Sequence, residues 1–423
     1  MFNRIMPSSG PPRVLALAQL ANSIGDGAYY VCSALYFIRV VGLSPTQVGF
    51  ALTLGWAVGF VAGVPLGHLA DRRGPRGTAV LLAVATAAAV GSFLFVRSFP
   101  VFVVVACLYA IAQCGLAAAR QALLAGLVDR ARRTRVRAHL QATVNAGLAV
   151  GAALGGAALH LDTRAAYLTV LAMDALSFLL SALILLRLPP VPPTASAPAG
   201  EPALAVLRDR PYALLSLLNM VTLLNMPLLS LVIPLWIVQR TEAPSWTVSA
   251  LLILNTLGVV LFQVRVARRV TDLESAAGSV RRAGAVLLAA CAVFALSSAW
   301  SSAWAAALVL LLAACLQVFG EMAHASGAWE IGFDLAPADR QGQYQGFFGS
   351  GAAVARMLGP LLLTTLILTW GTPGWLVLGG LFLLSGLATG PAVRWALRTR
   401  RAEPAAGECP GSGSGSREIA ETG

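Results

Sequence analysis

Twelve long apolar runs dominate this chain, near residues 14–41, 47–69, 77–96, 101–127, 138–160, 165–187, 212–238, 246–267, 281–300, 304–333, 343–369 and 374–395. A bilayer's hydrocarbon core is about 30 Å thick and a helix rises about 1.5 Å per residue, so about 20 apolar residues suffice to cross it. Backbone groups in lipid must be satisfied internally, which leaves only helices and closed barrels. A barrel would show short alternating strands, and these runs show none. The expected fold is therefore an all-α membrane protein with twelve transmembrane helices. Composition agrees, with 57% hydrophobic and 11% charged residues, against roughly a quarter charged in soluble proteins.

A formal net charge of +12 would suggest a nucleic-acid partner only if position were ignored. All 30 basic residues are arginine, which together with the Ala and Gly richness fits a high-GC bacterial coding bias. They cluster in alternate connections: Arg72, Arg73 and Arg76; Arg130, Arg132, Arg133, Arg135 and Arg137; Arg265, Arg268 and Arg269; and the C-terminal tail. The other connections hold only Arg39, Arg97, Arg164 and Arg240. Basic loops stay in the cytoplasm, so both termini are expected there, in a multi-pass protein of the cell membrane. The same arginines lie against anionic lipid. No nucleic-acid partner is expected. Six scattered cysteines lack ligand spacing and read as small packing residues. Neither a metal site nor a cofactor is expected. The first apolar run is too long for a cleavable leader and carries Asp26.

The stretch Pro189-Pro190-Val191-Pro192-Pro193 through Pro202 cannot continue a helix. It divides the chain into a cytoplasmic N-terminus (1–13), a six-helix bundle (14–187), a cytoplasmic linker (188–211), a second six-helix bundle (212–395) and a disordered cytoplasmic tail (396–423) containing Gly411-Ser412-Gly413-Ser414.

Between the second and third runs, a tight connection carries Gly67, Asp71, Arg72, Gly74 and Arg76. This pattern resembles motif A of the major facilitator superfamily, with Pro75 where a second basic residue often stands. The resemblance extends over nearly all of 14–395. It implies two pseudo-symmetric six-helix bundles with a transport site at their interface near the midplane. It also implies a cytoplasmic latch. Asp71 should lie against the start of span eleven, near Gly342 to Gly346, where the helix dipole favours an anion. Arg76 should face Asp129 at the end of span four. In span five, Gly147, Gly151, Gly155 and Gly156 resemble motif C of proton-coupled exporters, with Ala152 replacing its proline. Glycines four apart let a neighbouring backbone approach closely, and the resemblance implies a seam against span eight of the other half. Arg120-Gln121 in span four matches the arginine of motif B but not its spacing to Gln-Gly. Arg265 to Asp272 looks like a decayed second copy of motif A.

An ionisable group inside a membrane costs on the order of 2.5–3.5 kcal/mol, so it should face protein or water. The interior set is Asp26, Arg120, Asp174, Glu321, His324, Glu330 and Arg356. Asp26 stands roughly 18 Å into span one by helix rise. The resemblance implies that spans one, four, seven and ten line a central cavity, with Asp26, Arg120 and Glu321 pointing into it. A carboxylate at mid-depth gains proton affinity and a nearby arginine lowers it again, the physics of a proton switch. Asp26 or Glu321 is the expected proton carrier, with Arg120 or Arg356 as counter-charge. Asn219 and Asn225 are candidate polar handles, and Tyr29, Tyr30, Phe37, Met220, Met226 and Trp236 candidate apolar lining. Each also has an ordinary reading as helix packing or a structural ion pair.

Enzymatic templates fail: no Gly-Lys-Ser/Thr phosphate loop exists, no lysine exists to build one, and zinc-protease spacing is absent. The reading is a monomeric secondary transporter and not an enzyme. It would export a small amphipathic compound, a drug or secondary metabolite, against protons by alternating access, with the lipid bilayer as its surroundings. The alternatives are a proton-coupled uptake symporter for a sugar or organic acid, and a membrane sensor or scaffold without transport.

Overall fold

The computed structural model describes residues 7, 9–193 and 204–402, and twelve long helices account for most of them. They are α1 Pro11–Leu35, α2 Pro45–Arg73, α3 Pro75–Phe93, α4 Phe99–Leu127, α5 Arg130–Leu161 and α6 Arg164–Leu185 in the first half. The second half holds α7 Arg210–Arg240, α8 Trp246–Ala267, α9 Leu273–Leu296, α10 Ala303–Asp334, α11 Gln341–Thr369 and α12 Thr372–Ala402. No strand occurs among the described residues. Eleven of these helices are long and apolar enough to cross a membrane. Helix α1 is the exception, because Gln19, Asn22, Ser23 and Asp26 load it with polar groups. Those groups are kept from lipid by burial inside the bundle: Asn22 is 4% exposed and Asp26 9%.

Local chemistry sets the helix ends. Ser44 and Gln47 form a capping box at the start of α2, and Asp272 and Ser275 form another at α9. Gly74, with φ +91°, makes the abrupt link between α2 and α3, a backbone conformation that favours glycine. Helix α7 breaks near Asn225, where Pro227 supplies no N–H; Asn225 Nδ2 donates to the Thr222 carbonyl at 2.6 Å.

The two halves repeat one packing scheme. In the first, α1 packs on α5 and α6, α2 on α4, and α3 on α4 and α6. In the second, α7 packs on α11 and α12, α8 on α10, and α9 on α10 and α12. Each half has its own apolar core, one around Tyr36, Phe93 and Phe102 and the other around Trp236, Phe294 and Trp375. The halves meet chiefly through α2 with α11 and α5 with α8. An even number of helices brings both chain ends to one face, here termed the terminal face.

Several boundaries differ from expectation. Helix α5 starts at Arg130 and not near 138, and α9 starts at Leu273 and not near 281. Arginine is a good helix former, and charges outside lipid do not oppose an extension into water. Helix α12 continues through 396–402, which the sequence assigns to the tail. A short helical turn, Ala205–Arg208, precedes α7. The centre of the linker and the Gly-Ser tail lie outside the described residues.

Candidate substrate cavity and gate

A cavity of about 470 Å³ lies between the halves. Asp26, Arg120, Asn219, Asn225, Glu321 and Arg356, all singled out in the sequence, line it together. Asn22 links two of the helices. Its Nδ2 donates to Asp26 Oδ2 at 2.8 Å, and its Oδ1 accepts from Arg120 Nη2 at 2.8 Å. Arg120 Nη2 also reaches Ser181 Oγ at 2.9 Å. Asp26 Oδ1 has no hydrogen-bond partner among the described residues, and Arg120 and Arg356 line the same cavity. In the other half, Asn255 Nδ2 donates to Glu321 Oε2 at 3.1 Å. His324 Nε2 lies 3.1 Å from Asn219 Oδ1, and Asn219 Nδ2 donates to the Phe348 carbonyl at 3.3 Å.

Apolar expectations divide. Tyr30 and Met226 line the cavity, at 48% and 42% exposure. Tyr29 instead stacks on Phe93 and meets Tyr109 at a tilt, Phe37 packs edge-on to Phe93 and tilted against Phe102, and Trp236 packs edge-on to Trp375. Met220 lies against Gly351 of α11. These four belong to helix packing. Asp174 is fully buried against Gly25 and Ser177, outside the cavity lining. The sequence did not single out Trp56, Gln113, Gln141, Gln263 or Trp329, which also line the cavity. Arg137, which the sequence places among loop arginines, lines it too, because α5 begins earlier than expected. Its guanidinium lies 4.9 Å from the centre of the Trp329 ring, and that of Arg356 lies 4.5 Å from Trp56. Both stacks cross between the halves.

The terminal face is closed below this cavity. Asp71 accepts from the backbone N–H of Gly342 at 2.7 Å and of Gln343 at 2.8 Å. A carboxylate of one half thereby caps the first turn of α11 in the other, where unpaired N–H groups and the helix dipole favour an anion. Gly67 makes the approach possible: a Cβ there would collide with the Gly342 carbonyl, and one on Gly342 with Gly67. One turn along, a Cβ on Gly346 would likewise collide with the Gly63 carbonyl. A second tie joins α5 to α10, where Arg130 pairs with Asp334 and Thr134 donates to Glu330. Arg72 lies exposed at the end of α2.

Two expected contacts are corrected. Arg76 does not pair with Asp129; its Nη1 donates to the Leu188 carbonyl at 2.7 Å, just beyond α6. Asp129 opens α5 without a side-chain cap bond. The glycine seam of α5 faces α1 of its own half, not α8. Gly147 meets Leu20 and Ser23, Gly151 meets Ile24 and Ala28, and Gly155 meets Ala28 and Val31, while a Cβ on Gly156 would point into open space. Spacing predicts a close approach but does not name the partner. Helix α8 instead meets α5 around Ala138, Val264 and Ala267, nearer the terminal face.

The family model for the Major Facilitator Superfamily matches residues 15–360. The chain belongs to the major facilitator superfamily. Solved structures of the superfamily share its fold. The human organic anion transporter MFSD10 matches with a TM-score of 0.72 at 16% identity, over 90% of this chain and 100% of that one. A bacterial homologue of the iron transporter ferroportin, in an outward-facing state, matches with a TM-score of 0.72 at 16% identity, over 92% and 99%. The proton:xylose symporter XylE matches with a TM-score of 0.68 at 14% identity, over 90% and 95%. No curated protein sequence matches this chain. The superfamily assignment makes the chain a multi-pass membrane transporter and not an enzyme.

Proposed function

We propose that this superfamily member exports a small amphipathic compound, a drug or secondary metabolite, in exchange for protons. It would act as a monomer in the cell membrane with both termini in the cytoplasm. The observation that carries the reading is Asp26: a carboxylate on the cavity wall, one oxygen unpartnered, joined through Asn22 to Arg120. Such a group can change charge while remaining in contact with the substrate space. Glu321 supplies a second carboxylate across the cavity, held by Asn255.

In the outward-open form, with the latch closed, Asp26 or Glu321 takes a proton from outside. Release of the latch at Gly67–Gly342 and Asp71 lets the halves rock and opens the same cavity to the cytoplasm. There the proton leaves and substrate enters for the return. Each ligand biases the equilibrium only through its differential affinity for the two forms. The motif C-like glycines support export; their packing against α1 makes them a support for the first half and not a hinge between halves.

The test is transport of a compound panel in inverted vesicles under an imposed proton gradient. Accumulation that collapses with a protonophore is expected for at least one compound. Gradient-driven uptake in right-side-out vesicles would put the symporter in its place. Failure of every compound to move in either preparation would leave the sensor or scaffold reading.

A further inference from the structure

The charged groups lining the cavity do not match. Three guanidinium groups, Arg120, Arg137 and Arg356, face two carboxylates, Asp26 and Glu321. None of the three arginines is in an ion pair among the described residues. Arg120 spends one nitrogen on two neutral oxygens, of Asn22 and Ser181, and its Nε has no partner. Arg137 has even less: Nε and Nη1 are both unpartnered, and its neighbour is an indole face. Arg120 and Arg137 line the same cavity and carry like charge. Cationic donors left unpaired in a confined site are costly, more so than neutral ones.

We infer that Arg120, Arg137 and Trp329 form a subsite for the anionic group of the transported compound, a carboxylate or sulfonate attached to a flat apolar body. The inference rests on the cavity being the substrate site. A guanidinium presents five donors in a planar fork matched to a two-oxygen anion, and stacking on Trp329 holds that fork in place. The indole of Trp329 offers an apolar surface beside it. With both carboxylates ionised, one monoanion brings the formal charge of these five groups to zero, which suits occlusion away from water. The position also touches the gate. Thr134 and Glu330, neighbours of Arg137 and Trp329 along their helices, form the tie between α5 and α10.

The test is isothermal titration of the full-length protein in lipid nanodiscs with four probes on one scaffold: 1-naphthoate, 1-naphthalenesulfonate, 1-naphthalenemethanol and 1-naphthylmethylammonium. The two anions should bind at least about tenfold more tightly than the alcohol, with the ammonium weakest. Added salt should weaken the anions alone. Arg137→Gln should remove the anion preference, and Arg137→Lys should restore part of it. Three results would overturn the inference: no binding of either anion, binding of the ammonium as tight as the anions, or an unchanged anion preference in Arg137→Gln. The wild-type ranking decides even if a variant does not fold. Equilibrium binding involves neither direction nor proton coupling. An exporter with the wrong ranking loses only the substrate class, and an anion binder without export loses only the direction.

Discussion

Replacing Asp71 with Asn tests the latch by electrostatics, with little change of shape. The native carboxylate accepts two backbone N–H groups of α11, at 2.7 and 2.8 Å. Asparagine offers one acceptor oxygen and turns its NH₂ toward the other donor. One charge-assisted bond is lost, worth about 1.5–3 kcal/mol, and the dipole interaction of a full charge goes with it, about 0.3–1 kcal/mol. A total near 3 kcal/mol corresponds to roughly a hundredfold shift toward the form open at the terminal face. A latch closed about 99 times in 100 would become nearly evenly populated. Spin labels at positions 73 and 338 flank the contact, at the end of α2 and just before α11. Pulsed electron–electron resonance should show a new, longer distance in Asp71→Asn, together with impaired transport at wild-type expression. An unchanged distance distribution with normal transport would refute the reasoning.

Gly67→Ala should open the same latch by bulk. Its Cβ would stand 2.6 Å from the Gly342 carbonyl carbon, where ordinary contact is 3.4–4 Å; the helices must part by about 1 Å. A cysteine at Ala325, in the cavity lining, should then react faster with an impermeant thiol reagent from the terminal face, and no acceleration would count against the contact. Gly151→Leu should act inside the first half, because its side chain would press on the Ile24 carbonyl of α1. The expected loss is about 1–3 kcal/mol, read as a lower melting temperature, and an unchanged melt would contradict the seam. At the opposite face, Tyr167 first and Arg39 next hold the Asp162 carboxyl below its usual range. A depressed pKa contributes stability above the unfolded value, lost as pH falls through the lower folded one, so this tie should survive until below about pH 4. Exchange protection at Asp162 that fades well above that pH would contradict it.

Apolar run length decided the twelve helices, because burial of backbone polar groups in lipid leaves little choice. Asp71 and its target on α11 were legible from a motif whose physics is local: an anion meeting a helix start. The six cavity residues were legible because polar groups at mid-depth must face away from lipid. Arg137 was not, since a run of arginines reads as a loop until the helix start is known, and α5 begins inside that run. The glycine seam showed that something comes close without showing what, and the partner is set by the small residues Gly27 and Ala28 of α1. Arg76 illustrates a further limit. A long cation finds the nearest acceptor, here a backbone carbonyl that no side-chain pattern reveals. Tyr29, Phe37 and Trp236 look like cavity aromatics because sequence does not tell which side of a membrane helix faces its neighbours.

The most direct test of the account follows proton and substrate together in proteoliposomes, using the wild type, Asp26→Asn and Glu321→Gln. The wild type should move protons opposite to a transported compound. At least one of the two variants should pass that compound downhill with no accompanying proton flux. Protons moving in the same direction as the compound, or coupling intact in both variants, would contradict it.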